Sequence, residues 1–225
     1  MNLINCVVIL QQLEMFNILI YNKIFKEIEV SGKKTQIVSV SKNHSRESVE
    51  DALGHGIRIF GENRVQEAKK KFENLKKQYP DLELHLTGPL QTNKAKEAIK
   101  LFDVFHTIDR EKLAKELVKL GGLKDKKFFI QVNIGKENNK SGIYLEHLYE
   151  FTNFCRHDLG LNIVGLMCIP PVNDEASKFF SILEQEAKNN NLFQLSMGMS
   201  SDYVEAIKHN ASYIRIGTLL FGERS

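Results

Sequence analysis

Eight short runs of β-forming residues recur along this chain, each followed by a segment with helical spacing. They lie at 36–41, 57–61, 83–88, 103–107, 127–134, 162–169, 192–197 and 212–217. Runs such as Ile37-Val38-Ser39-Val40 are rich in branched side chains, which suit a pleated, buried surface. Between them, stretches such as Val65 to Leu75 and Ala176 to Leu183 set apolar residues three and four apart. That is the stripe of a helix with one buried face. Strands alternating with helices pair in parallel, because each return to the sheet is a crossover rather than a hairpin. Eight repeats predict an α/β fold, a single (β/α)8 TIM-type barrel. An extra N-terminal helix is expected from Phe16 to Val30, stopped near Gly32. An open, doubly wound sheet is the alternative.

The 225 residues suffice for one domain with a full core. A net charge of +3 is small, and the lysines are scattered through helical segments, so solvated faces are expected rather than a nucleic-acid surface. Cys6, Cys155 and Cys168 are three, without paired spacing. This fits reduced thiols in a cytoplasmic protein and argues against a disulfide framework or a zinc site. The histidines show no metal-ligand pattern, and no metal site is expected. Ile4 to Leu10 is apolar but too short to span a bilayer, and it lacks the charged start of a signal peptide. No membrane attachment is expected. Residues 1–14 read as a possible N-terminal extension and 15–225 as the barrel.

Sites in such barrels form at the C-terminal ends of the strands. Lys42 closes the first strand here, Glu62-Asn63 the second, Thr87-Gly88-Pro89 the third, Asn133 the fifth and Met167-Cys168 the sixth. The seventh runs into Ser196-Met197-Gly198-Met199-Ser200-Ser201, and the eighth into Arg215-Ile216-Gly217-Thr218. Two Gly/Ser/Thr turns side by side aim backbone N–H groups and hydroxyls at one point, as a phosphate site does. A lysine across from such a cradle suggests a phosphorylated carbonyl ligand, with pyridoxal phosphate as the leading candidate. The strands alone leave other readings open. Lys42 also reads as a surface lysine past a strand, and Ser200 and Thr218 as helix N-caps.

The motifs carry a family resemblance. Val40-Ser41-Lys42, the block Phe60-Gly61-Glu62-Asn63-Arg64-Val65-Gln66-Glu67, and the block His85 to Lys94 stand in order along the chain. Gly165-Leu166-Met167-Cys168-Ile169-Pro170, Leu195 to Asp202 and Arg215 to Gly222 follow. Over about residues 16–224 the chain resembles the pyridoxal phosphate homeostasis proteins. These are similar to the barrel domain of alanine racemase without its second, β-rich domain. The resemblance implies a cytoplasmic, monomeric barrel that binds pyridoxal 5'-phosphate, stores it or delivers it to apo-pyridoxal enzymes, and keeps vitamin B6 and amino-acid pools balanced without efficient catalysis. Asn43 departs from the threonine common after the lysine, and Leu84 from the aromatic that often precedes the histidine.

The resemblance also implies roles. Lys42 would hold the cofactor as a Schiff base. Ser200, Gly217 and Thr218 would hold the phosphate, helped by backbone N–H groups of Met199 and Gly217. Arg215 would face the pyridine nitrogen as a donor that keeps its proton, leaving the ring a poorer electron sink than an Asp partner does. Its plain structural alternative is an ion pair, for instance with Glu62. Asn63 would bond the ring oxygen or order Lys42, or else cap the helix that follows. Met167 would line the ring face. His85 would pack beneath the cofactor or serve as a satisfied core histidine, and Lys94 is expected to be solvated. The competing functions are an amino-acid racemase and a Schiff-base aldolase. The first needs a second base from a tyrosine, and Tyr144, Tyr203 and Tyr213 stand in no block that implies it. The second places its lysine on a mid-barrel strand, whereas Lys42 ends the first.

Overall fold

A computed structural model describes residues 15–172 and 174–223. The expected extension, residues 1–14, lies outside the described residues. Eight parallel strands close on themselves in chain order. They are β1 (Gln36–Val40), β2 (Ile59–Glu62), β3 (Glu83–Leu86), β4 (Val104–Ile108), β5 (Lys127–Val132), β6 (Ile163–Cys168), β7 (Gln194–Ser196) and β8 (Tyr213–Ile216). The ring shuts where Gln36 to Ser39 pair with Tyr213 to Ile216. The barrel is therefore the expected one, and the open sheet is excluded. Most observed strands are shorter than their apolar runs, several at both ends, whereas β4 keeps its length and β2 and β4 run one residue further toward the mouth.

Helices cover the outside: α1 (Ile18–Ser31), α2 (Arg46–Gly54), α3 (Val65–Gln78), α4 (Ala95–Leu101), α5 (Glu111–Leu120), α6 (Leu145–Asn153), α7 (Ala176–Asn189), α8 (Tyr203–Lys208) and α9 (Thr218–Phe221). The first helix starts on an Asn17 side-chain cap and stops at Gly32, whose φ of 68° is the left-handed stop that glycine adopts without strain. It is stitched to distant parts of the chain. The Phe16 N–H donates to Asp51 at 3.0 Å, the Asn17 N–H to the Leu220 carbonyl at 2.7 Å, and the Tyr203 hydroxyl to Glu27 at 2.8 Å.

Strand alternation sorts the side chains into two cores. Outward-facing residues such as Phe60, Phe105, Phe128 and Leu166 pack under the helices. Inward-facing Val38, Val40, Val104, Phe129, Met167 and Tyr213 fill the barrel. The interior is thus plugged from below, and only its upper end stays open.

Candidate functional site

At that upper end a cavity of about 240 Å³ opens among Val40, Lys42, Asn63, Ile169, Arg215 and the turns carrying Met199 to Ser201 and Gly217-Thr218, with His44 and Thr87 on its rim. Of the expected site residues, Lys42, Asn63, Met199, Ser200, Arg215, Gly217 and Thr218 all reach it. Met167 does not. It is fully buried in the inner core, two residues too deep on β6, and its strand parity recurs at Ile169, which forms the wall instead.

Lys42 sits just past β1, on the parity of the inward-facing Val38 and Val40. The backbone turns immediately after it. Asn43 has φ of 61°, the left-handed region that asparagine tolerates better than a β-branched residue. The Asn43 N–H donates to Glu67 at 2.5 Å. Beneath this loop lies Lys71, only 5% exposed. Its ammonium donates to the Ser41 carbonyl at 2.7 Å and the His44 carbonyl at 3.2 Å. It also pairs with Glu62 at 2.5 Å and Glu67 at 2.9 Å. Glu62 takes a further bond from the Ser41 hydroxyl at 2.7 Å, while its second oxygen is buried without a partner. Burial outweighs these partners and pushes the Glu62 carboxyl up to about 7.

Arg215 lies opposite, nearly buried. Its guanidinium donates to the Ser196 hydroxyl at 2.7 Å and the Cys168 carbonyl at 2.9 Å. It makes no ion pair with Glu62, which points outward to Lys71, so the suggested pairing is corrected. Burial lowers the Arg215 pKa. The guanidinium has five donors, so two fixed bonds set its plane and leave other N–H groups for a ligand.

Neither hydroxyl of the expected phosphate cradle serves as a helix cap. The cap positions of α8 and α9 belong to Asp202 and Gly217. Ser200 and Thr218 therefore present their hydroxyls beside Ser201 at the cavity. One expected donor is corrected: the Met199 N–H is taken by the Asp202 carboxylate at 2.5 Å. Gly217 matters for closeness, since a Cβ there would stand 3.3 Å from the Val40 carbonyl and fill the seam between β8 and β1. Asn63 is no cap either. Arg64 holds that place before α3, and the Asn63 amide oxygen accepts from Thr87 at 2.9 Å.

His85 does not border the cavity. It is wholly buried lower in the barrel, bonded to Glu83 and His106. Lys94 belongs to a neighbouring cavity with Arg64 and Arg110 and pairs with Glu97 at 3.4 Å. Sequence reasoning missed His44, Thr87, Ser201 and Ile169 on the cavity, and Lys71 beneath it. Thr87, Ser201 and Ile169 stood inside the quoted blocks, whereas the i, i+4 spacing from Glu67 was the only signal for Lys71. Among the described residues no three His, Cys, Asp or Glu side chains converge as a metal-ligand set, and no helix is long and apolar enough to cross a membrane.

Comparisons with known proteins agree with this fold. The alanine racemase N-terminal domain profile matches residues 23–225. The pyridoxal phosphate homeostasis protein of Aquifex aeolicus is 36% identical over 219 residues, covering 91% of this chain and 95% of that one. Its Escherichia coli K12 counterpart is 35% identical over 205 residues, covering 86% and 88%. PipY of Synechococcus elongatus PCC7942, solved without PLP, superimposes with a TM-score of 0.79 at 37% identity, covering 84% of this chain and 93% of that one. PipY with PLP bound gives 0.77 at 36% identity over the same shares. Alanine racemase from Corynebacterium glutamicum, at 14% identity and a TM-score of 0.62, shares the fold. With identities above 30% sustained over most of both chains, this protein belongs to the pyridoxal phosphate homeostasis protein family.

Proposed function

We propose that this protein binds pyridoxal 5'-phosphate in the cavity at the barrel mouth, and stores or delivers it without efficient catalysis. The observation that carries the reading is one cavity with Lys42 from the first strand on one side, and Arg215 with the Ser200 and Thr218 hydroxyls from the last two on another. Pyridoxal phosphate supplies an aldehyde that condenses with a primary amine with loss of water, a ring that takes up electron density, and a dianionic phosphate. Each part has a counterpart here. Lys42 offers the amine. Ser200, Ser201 and Thr218 offer hydroxyl donors to phosphate oxygens, and Gly217 leaves the backbone open to close approach. Val40 and Ile169 offer apolar walls to a flat ring, and Arg215 a fixed donor to its nitrogen.

A fixed cation at that nitrogen favours its unprotonated form, and so disfavours carbanion chemistry. The described cysteines, Cys155 and Cys168, are buried free thiols, which supports a cytoplasmic setting. The partners that fit this role are apo-pyridoxal enzymes.

The test is the visible spectrum of the purified protein, followed by borohydride reduction and peptide mass mapping. A yellow protein that gains one pyridoxyl mass on Lys42 is expected, together with loss of the band in Lys42→Ala at unchanged fold. A reducible band retained in Lys42→Ala, or label on another lysine, overturns the assignment.

A further inference from the structure

The interior of the barrel holds a chain of buried polar groups that the cavity itself does not use. It begins at Arg215, whose guanidinium donates to Ser196 Oγ at 2.7 Å. Ser196 Oγ lies 2.7 Å from His106 Nδ1. His106 Nε2 lies 2.8 Å from His85 Nδ1, and His85 Nε2 lies 2.7 Å from Glu83 Oε1. Glu83 is the first residue of β3 and pairs at 3.2 Å with Lys127, the first of β5. The chain therefore runs from the cavity to the opposite end of the barrel.

Its two ends fix its direction. An arginine only donates and a carboxylate only accepts. Ser196 has one proton and has already accepted from Arg215, so its proton is free to go to His106 Nδ1. A neutral His106 then carries its proton on Nε2 and gives it to His85 Nδ1. His85 in turn carries its proton on Nε2 and gives it to Glu83. Both rings are wholly enclosed. His106 stacks on Phe129 at 4.8 Å between centroids, and Tyr213 sets its edge against both imidazoles. Burial holds His106 well below its usual pKa, with His85 and Arg215 adding to the effect. Burial also lowers His85, against the pull of Glu83 and Asp103 and with the push of Lys127. The His85 bond in turn holds the Glu83 carboxyl down to about 2.

We propose that Ser196, His106 and His85 are positioning residues for Arg215: a one-way hydrogen-bond relay, anchored on Glu83 and Lys127, that keeps a Ser196 lone pair turned toward the guanidinium and so holds Arg215 as a fixed cation at the cavity. Because His106 engages the Ser196 proton, Ser196 has nothing to give back to Arg215. The guanidinium can neither pass its proton down the chain nor turn away without stranding a buried hydroxyl. A donor held this way keeps one protonation state toward whatever ring lies against it. Its effect on a bound ring rests on the pyridoxal phosphate reading; the relay itself does not.

The test separates the two. In protein labelled with nitrogen-15 histidine and free of cofactor, ring nitrogen shifts report each tautomer, with His85→Gln and His106→Gln identifying the signals. Both rings are expected as neutral Nε2–H tautomers at pH 8, and still neutral at about pH 6.5, where an ordinary histidine is half protonated. An Nδ1–H tautomer at either ring, or an imidazolium at His85, overturns the relay. Ser196→Ala is expected to move the His106 Nδ1 resonance, weaken pyridoxal phosphate binding about tenfold and change the pH profile of the visible band. No change in any of these also overturns it. A wild-type protein with the expected tautomers but no visible band would instead remove the cofactor reading and leave the relay standing.

Discussion

The Lys71 ammonium donates to the Ser41 carbonyl at 2.7 Å, so the cation that braces the Lys42 loop comes from a helix outside the barrel. Lys71 and Glu62 are both nearly inaccessible, and each is tolerable there only because of the other. At pH 8, above the Glu62 titration, Lys71→Met is expected to cost about 3 kcal/mol, because the Glu62 carboxylate must then take up a proton or stay buried without its cation. The double variant Glu62→Gln with Lys71→Met should recover more than half of that, a coupling that urea denaturation measures directly. Additive losses would show that the pair is not a unit.

The same carboxylate predicts a pH dependence. The Glu62 carboxyl is raised from 4.5 to about 7 by burial, so the folded protein holds this proton more tightly than the unfolded chain. Its contribution to stability is fully present below about pH 4.5 and is lost as pH rises through about 7. Urea midpoints should therefore fall more between pH 5 and pH 8 in the wild type than in Glu62→Gln. Parallel profiles would place the titration elsewhere.

Gly198→Ala should damage the phosphate side of the cavity from behind. Gly198 has φ of 87°, and a Cβ there would meet the Ala206 Cβ at 2.5 Å. Its carbonyl also accepts the Arg215 N–H at 2.9 Å. A loss of about 1–3 kcal/mol is expected from the backbone conformation alone, with weaker phosphate binding alongside. Thermal denaturation with and without inorganic phosphate checks both. A variant as stable as the wild type would show that α8 yields to the added methyl.

Incubation with L-alanine in deuterated water should show at most slow α-proton exchange. On the carrier proposal, racemisation well below the enzyme-like range of about 1 per second is expected. Rapid, saturable racemisation by protein free of contaminating enzyme would overturn the carrier proposal.

The strands were legible because eight apolar runs repeat with helices between them, and the mouth was legible because polar residues cluster where those runs stop. Parity was harder. Ile169, just past β6, keeps the parity of Met167, and only the depth of the inner core shows which of them reaches the cavity. The relay was not legible at all. It joins His106 to Ser196 across 90 residues, and the β4–β5 pairing shifts register between Phe105 and Ile108, around His106 itself. Alternation from Val104 places His106 inside the barrel, but nothing in it pairs that ring with a residue of β7.

The closure of β1 against β8 also has a consequence in time. During synthesis Lys42 leaves the ribosome long before Ser200, Arg215 and Thr218 exist, and the seam from Gln36 to Ser39 must wait for Tyr213 to Ile216. A nascent chain therefore carries the amine without its cradle. Any ligand that needs both ends of the cavity is acquired only after residues 213–218 have been made and this sequence-distant pairing has formed.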